Sequence, residues 1–502
     1  MKHELSKDDI IKGVQCPKKL WLSKHRCDLI PESKNYHHPE HIKLSKEEIK
    51  KFTKELFPRA VAPQSSQLSS MLVETKELLK ENHPVIANPV FKYKKIISPS
   101  DYLVSTPKGY QLYEIKSATG YKPIHLVDLA LQDYVLKGNS IPISDIFIVT
   151  INNKYEREKE LDGKELLVIK NITGEARGKY NYIKKQILAL DKLLSRSEPQ
   201  MPIGLYCENP SPCPFHNYCW KNVPAHSILN LTKMEKKQRF TLFHDGIQEL
   251  TALPDEIMAE LSEKQQIQIE SLKNNEPYIL YSKLEQFLGS LNFPLYFLDF
   301  ETYQSPIPHF EGTKPFSQIP FQFSLHILKN PDSPLLHEEF QADPGDDPRP
   351  AFIEALLSKI PEEACVLAYN GGFEKGILKK LSKNFPDFKE PLLSLQNRIR
   401  DLLIPFKNFY YYNNAMRGSH SLKHVLPALL PEYNYGHLDI ARGEDAANAY
   451  FHLNYSQDTK ERAQIQKALL EYCHMDTLAM VKIWEFLSAI VNENSKQEPK
   501  EC

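Results

Sequence analysis

The sequence predicts an α/β protein with two folded domains joined by a helical segment. Three observations carry that reading. A chain of 502 residues exceeds what one hydrophobic core serves, since domains commonly hold about 100–200 residues. Strand-like and helix-like periodicities alternate twice, once between residues 90 and 196 and again from Pro294 onward. Between these stretches, residues 223–290 are polar and mostly helical in pattern. The boundaries so read are 1–222, 223–290 and 291–502.

Composition narrows the class. Hydrophobic residues make up 41% and charged residues 25%, as in ordinary globular proteins. No run of apolar residues is long enough to span a bilayer. The start, Met1 to Asp9, is polar and lacks a signal-peptide core. A cytoplasmic protein with no membrane partner is therefore expected, and its eight cysteines suggest metal binding before disulfides. The net charge of −1 hides an asymmetry. Residues 1–222 hold 35 Lys and Arg against 26 Asp and Glu, and the remainder holds 28 against 38. A basic first half suits a phosphate backbone. The acidic second half would need metal ions to approach one.

Element by element, residues 5–25 read as one helix capped by Ser6, with Ile10, Ile11 and Val14 on an apolar stripe. Residues 44–57 and 66–82 have helical spacing. The alternating stretch from Val90 to Ile115 breaks at Thr106-Pro107-Lys108-Gly109 and reads as a hairpin with Tyr110–Lys116 as its second strand. A helix over 123–138, a strand over 141–150 and a helix over 177–196 follow. In the middle segment, Leu242 to Leu253 suggests a helix, a Gly246-Ile247 turn and another short helix, similar to a helix-hairpin-helix; a plain helical linker is the other reading. Then come strands 294–300 and 320–328, helix 350–360, strand 364–369, helix 373–384 and a last helix 461–490.

Two groups of residues carry chemistry. In the first, strand periodicity puts Glu114 and Lys116 on one face, and Asp101 at the base of the preceding strand can share a Mg²⁺ with Glu114. Lys116 would orient or activate water; a solvated ion pair is the bland alternative. This Asp-(x)n-Glu-x-Lys pattern resembles the PD-(D/E)xK nucleases. Asp128 to Tyr134, containing Gln132 and Tyr134, resembles the helix that follows the catalytic strand in RecB-type members. Cys16 stands upstream, and Cys207, Cys213 and Cys219 stand downstream. That bracketing resembles the iron–sulfur staple of RecB-type nucleases, which implies a 4Fe-4S cluster. Four thiolates would equally suit a structural zinc. Cys27, Cys365, Cys473 and Cys502 lack the arrangement and read as ordinary.

In the second group, Asp299 and Glu301 lie on one face at the end of an apolar strand. Glu374 follows a buried strand that turns into a helix, and Tyr472 and Asp476, four apart, share a helical face. This set resembles the DnaQ-like, or DEDD, exonucleases of the RNase H-like fold. The resemblance implies that Asp299, Glu301, Glu374 and Asp476 hold two Mg²⁺ or Mn²⁺ ions and that Tyr472 orients the attacking water. Glu374 stands where that family has Asp. Asp401 is a reserve ligand or a helix-start residue, His474 a weaker substitute for Tyr472, and Lys423 a phosphate contact.

The arrangement over nearly the full chain resembles bacterial proteins that couple an N-terminal RecB-like nuclease bearing cluster cysteines to a C-terminal RNase H-like nuclease. It implies a nuclease acting on DNA, favoured over RNA, at single strands or ends, with a two-metal 3′–5′ exonuclease at the C-terminal centre. A helicase or other repair or defence proteins are the partners so implied, and the chain has no Walker-type phosphate loop. The alternative is a nucleic-acid-binding protein of such a complex with one or both centres inactive.

Overall fold

The computed structural model describes residues 4–31 and 38–497, so Met1 to His3 and Cys502 lie outside the described residues. The chain is mixed α/β and divides into two compact units. Unit 1 comprises Met1–Ser33, Ile42–Asn222 and Ser305–Ser317; unit 2 comprises Lys34–His41, Val223–Gln304 and Gln318–Cys502. Residues 223–290 thus belong to the same unit as the C-terminal strands. Among the described residues no helix is long and apolar enough to cross a membrane.

Unit 1 opens with helices α1 (Lys7–Gln15) and α2 (Pro17–His25). Ser6 caps α1 in a reciprocal box with Asp9. The single helix expected over 5–25 is broken at Cys16, whose backbone is extended at φ −158° and ψ 119°. Pro17 is the cause: it lacks an N–H and disfavours helical geometry in the residue before it. Helix α3 (His38–Leu56) follows. The expected hairpin over 90–115 is four strands. Val90–Tyr93 and Ile96–Pro99 pair around a turn with Lys94 at φ 55° and join Leu5–Ser6 in a small separate sheet.

The main sheet of unit 1 contains β1 (Val85–Ala87), β2 (Tyr102–Thr106), β3 (Gly109–Ile115), β4 (Ile143–Ile151) and β5 (Leu167–Asn171), in that spatial order. Only the β3–β4 pair is parallel. Helix α4 (Pro123–Gly138) makes that crossover and buries Leu129, Leu131 and Val135 against Leu112 and Ile148. The β2–β3 turn closes at Gly109, with φ 115°, and a Cβ there would meet the Pro142 carbonyl oxygen at 2.4 Å.

Unit 2 is built on β6 (Leu295–Tyr303), β7 (Ile319–Leu328), β8 (Leu336–Gln341), β9 (Cys365–Ala368) and β10 (Ile399–Asp401). The spatial order is β8-β7-β6-β9-β10, with β6–β7 and β7–β8 antiparallel and β6–β9 and β9–β10 parallel. Alternation along β6 sorts its two faces. Tyr296, Leu298 and Phe300 pack with Phe352 and Leu356 of α5 (Arg349–Lys359) and Ile377 and Leu381 of α6 (Gly372–Asn384). The face carrying Phe297, Asp299 and Glu301 is turned to α8 (Thr459–Gln497), whose Leu469 carbonyl accepts from Gln322 of β7. Helix α7 (Leu422–Leu429) packs against α8. Strands β8 and β10 go unread in the sequence because one is a polar edge and the other is three residues long. In the middle segment, helix Lys236–His244 and the Gly246 turn are followed by a 3₁₀ turn, Leu250–Ala252, and a short helix, Asp255–Ala259.

Replacing Gly109 with alanine forces a left-handed backbone onto an L side chain and a clash with Pro142. We expect a loss of roughly 1 kcal/mol or more, read as a lower urea midpoint for unit 1.

Candidate functional sites

In unit 1 the end of β3 projects Glu114 inward, and Asp101, just before β2, reaches back to it. Asp101 Oδ2 accepts from the Ile115 N–H at 2.8 Å. Glu114 is 1% exposed, and its neighbours are mostly cations. Lys116 Nζ donates to Glu114 Oε1 at 2.8 Å and to Asp128 Oδ2 at 2.8 Å. Lys7 Nζ lies 3.1 Å from Glu114 and 3.2 Å from Asp128. Lys46 Nζ sits 2.9 Å from Asp101 Oδ1 and 4.0 Å from Glu114 Oε1, between the two carboxylates. Gln132 of α4 donates to both Glu114 and Asp128 at 3.0 Å. Tyr134 is in the core beside Tyr93 and Tyr180.

Burial opposes ionisation of Glu114, but the fields of Lys116, Lys7 and Lys46 outweigh it and hold its carboxyl well below the usual range. Burial likewise opposes the charge on Lys116, and Asp128 and Glu114 hold it above the ordinary lysine range. The glutamate and lysine are therefore a buried charge network rather than a solvated pair. Carboxylates converging on the ammonium of Lys46 offer the donors a divalent cation takes, provided Lys46 withdraws. Sequence reasoning missed Lys7, Lys46 and Asp128 as members; the i,i+4 spacing of Asp128 and Gln132 on a buried helix face is the signal that could have found Asp128.

Cys16, at the break between α1 and α2, lines one pocket together with Cys207, Cys213 and Cys219. The backbone brings the last three together through a 3₁₀ turn at Leu205–Cys207 and a short helix His216–Cys219, with the Cys213 N–H bonded to the Cys207 carbonyl. Burial first, then the other sulfurs, push the Cys219 thiol up to about 11. Burial also raises Cys16 and Cys213. Four thiols line one sheltered pocket; thiolates are metal ligands, and a bound cation's charge would reverse that bias.

In unit 2, Asp299 and Glu301 meet Asp476, Tyr472 and Cys473 of α8. The ligand atoms of Asp299, Glu301 and Cys473 all lie within 4.8 Å of one another. Cys473, which reads as ordinary in the sequence, is fully buried with Sγ 3.5 Å from Asp299 Oδ2. Tyr435 donates to Asp476 Oδ1 at 2.6 Å. Lys423, in the first turn of α7, donates to the Tyr472 hydroxyl at 2.7 Å and lies over the Tyr472 ring. Glu374, near the start of α6, is 2% exposed, and its Oε2 has no hydrogen-bond partner among the described residues. Asp401 does not start a helix. It ends β10 and accepts from the N–H groups of Asn370 and Leu403 at 2.9 and 3.0 Å. His474 points elsewhere, toward His326 and His337.

The carboxyls of Asp299, Glu301, Glu374 and Asp476 are all pushed upward. Burial leads for Asp299, followed by Asp476, Glu301 and Glu374; burial and then Asp476 do the same for Glu301. Burial raises Asp476 despite Lys423 and Tyr435. Burial and then Asp401 push Glu374 up to about 8. Such crowding, with one carboxyl oxygen orphaned, fits divalent cations held by oxygen donors. A cavity of about 870 Å³ has Lys233, Arg239, Lys407 and Arg417 on its wall, with Tyr369 and Asn370, which lead into α6.

Residues 296–421 match the family described as a domain of unknown function, DUF2779. That span includes Asp299, Glu301, Glu374 and Asp401 and stops before Lys423, Tyr472 and Asp476. An uncharacterized protein, the MG366 homolog of Mycoplasma pneumoniae, is 26% identical over 215 residues, covering 39% of this chain and 32% of its own. Uncharacterized protein MG366 of Mycoplasma genitalium is 24% identical over 244 residues, covering 45% and 37%. The chain thus matches about a third of the length of these relatives.

The raised carboxyls set a pH dependence. Glu374 titrates near 8 in the folded chain against about 4.3 in an unfolded one, so on raising the pH the unfolded state loses its proton first. The contribution of Glu374 to the stability of metal-free unit 2 is fullest below the ordinary carboxyl range and falls as pH climbs toward 8. Thermal unfolding of unit 2 from pH 5 to 8 should show that decline, Glu374→Gln should lessen it, and Mn²⁺ should reverse it.

Proposed function

We propose that this chain is a metal-dependent nuclease with two phosphodiester-hydrolysing centres acting on DNA. Unit 1 is read as a PD-(D/E)xK nuclease of RecB type with a 4Fe-4S cluster on its four cysteines, and unit 2 as an RNase H-like DEDD exonuclease. The observation that carries the proposal is the setting of Asp299, Glu301, Glu374, Tyr472 and Asp476. Their sheet runs third-second-first-fourth-fifth in chain order, with three antiparallel strands followed by two parallel ones, the order of the RNase H-like fold. The acids come from its first strand, from the helix after its fourth and from a C-terminal helix, as in DEDD exonucleases.

When bound, divalent cations would supply the positive charge that polarises a phosphate and favours ionised water. The chain supplies the rest. Asp299, Glu301, Glu374 and Asp476 would hold the cations. Tyr472, its hydroxyl fixed by Lys423, would position the attacking water. The basic wall formed by Lys233, Arg239, Lys407 and Arg417 suits the phosphates of a bound strand. In unit 1, Asp101 and Glu114 would hold a cation and Lys116 would orient the water. The four cysteines would bind the cluster, with structural zinc as the alternative.

A second reading, a nucleic-acid-binding protein with an inactive first centre, is favoured by one observation. Lys46 and Lys7 already neutralise the carboxylates of unit 1. A helicase or another repair or defence protein is the partner that the resemblance suggests.

The test is cleavage of end-labelled single-stranded and duplex DNA with Mn²⁺ or Mg²⁺, with an RNA control, by anaerobically purified protein. Asp299→Ala and Lys116→Ala should each lower activity by a hundredfold or more on the substrate of their own centre, and the double variant should abolish both. Absence of metal-dependent cleavage of any substrate would contradict the proposal. Loss in Asp299→Ala alone would leave the first centre as a binding site.

A further inference from the structure

The sheet face that carries Asp299 and Glu301 continues onto β7 and β8, and there it presents imidazoles. Cross-strand partners share a face, and Phe297 pairs with His326, which in turn pairs with His337. The two rings lie 4.6 Å apart between centroids. His474 of α8 closes onto both, at 4.8 Å from His326 and 4.4 Å from His337. One nitrogen from each of the three rings lies within 4.8 Å of the other two.

Two of these rings are held by a chain of hydroxyls. His326 Nδ1 is 2.8 Å from Thr477 Oγ1, and His337 Nε2 is 2.9 Å from Ser324 Oγ. The two hydroxyls are 2.7 Å apart, and Thr477 Oγ1 donates to the carbonyls of His474 and Cys473, at 3.1 and 3.3 Å. A Thr477 proton given to these carbonyls, which can only accept, leaves Oγ1 as an acceptor toward its other two neighbours. In that arrangement Thr477 Oγ1 accepts from Ser324 and from His326 Nδ1–H, and Ser324 accepts from His337 Nε2–H. The opposite nitrogens, His326 Nε2 and His337 Nδ1, are left with their lone pairs. A ring tied through one nitrogen and bare at the other is the outer-shell arrangement of metal-ligating histidine. Burial pushes His326 down to about 3 and His337 down to about 4, so both rings are neutral near pH 7, the ligating form. His326 is buried, while His337 and His474 are half-buried, which leaves a side open for entry.

We propose that His326, His337 and His474 form a binding site for a zinc-class transition metal, with a fourth position open to solvent or a small ligand. Three imidazoles without a carboxylate select borderline-soft ions over Mg²⁺ or Ca²⁺. The ion would tie β7 and β8 to α8, the helix that carries Tyr472, Cys473 and Asp476, and so fix their height over the sheet. The proposal stands whether or not the chain cleaves nucleic acid.

The experiment strips the full chain with a chelator, adds ZnCl₂, desalts and counts retained zinc for wild type and for His337→Asn with His474→Asn. The cysteines and carboxylates are the same in both proteins, so wild type should retain one more equivalent and should gain several degrees of melting temperature that the variant does not. Equal zinc retention would overturn the site. Anomalous diffraction from zinc-soaked wild-type crystals needs no variant: a peak between the three rings supports the proposal, and zinc found only elsewhere overturns it.

Discussion

Unit 2 is governed by the cost of keeping carboxyl groups together away from water. Asp299, Glu301, Glu374 and Asp476 are drawn into one sheltered place, and the ammonium of Lys423 acts on Asp476, Glu301 and Asp299 among them. Like charges in low dielectric cannot all ionise, so their affinities for protons rise. The surrounding architecture bears that cost. The first strand contributes two acids on one face. The long C-terminal helix lies across that face with Tyr472, Cys473 and Asp476 turned inward. Tyr435 and Lys423 meet it with a hydroxyl and an ammonium. A cation would turn the same crowding from a penalty into affinity.

Unit 1 handles buried acids in the opposite way. Glu114 and Asp128 are as sheltered as those of unit 2, yet Lys7, Lys46 and Lys116 hold them ionised. Charge there is balanced within the protein, so an incoming cation competes with Lys46 for its ligands. A divalent ion is expected to bind more weakly in unit 1 than in unit 2. The two units thus represent two solutions to one electrostatic problem, with different thresholds for loading.

What was legible in the sequence follows distance along the chain. Asp299 and Glu301 are two apart on a strand, and Tyr472 and Asp476 four apart on a helix, so backbone periodicity alone puts each pair on one side. Elements with strong periodicity, such as Pro123–Gly138 and Ile319–Leu328, lie within a few residues of where the pattern places them. Contacts between remote segments leave no such mark. Lys7 reaches Glu114 across 107 positions, and nothing in the composition of α1 announces it. Cys473 looks ordinary because its role comes from Asp299, 174 residues away. The three histidines come from separate elements, and no spacing rule unites them. Proline chemistry at Cys16-Pro17 was readable and would have divided the first helix. The left-handed Lys94 that divides the long alternating stretch was not, because lysine carries no turn signal.

We propose that the carboxyl cluster of unit 2 exists to hold divalent cations. Anomalous diffraction from crystals of the full chain grown with Mn²⁺ tests it most directly. Manganese scattering should be flanked by Asp299, Glu301, Glu374 and Asp476, and should be lost on Asp299→Asn while the remaining carboxyls keep their places. Four carboxyls that stay free of manganese, in crystals where Asp101 and Glu114 or the protein surface take it up, would contradict it.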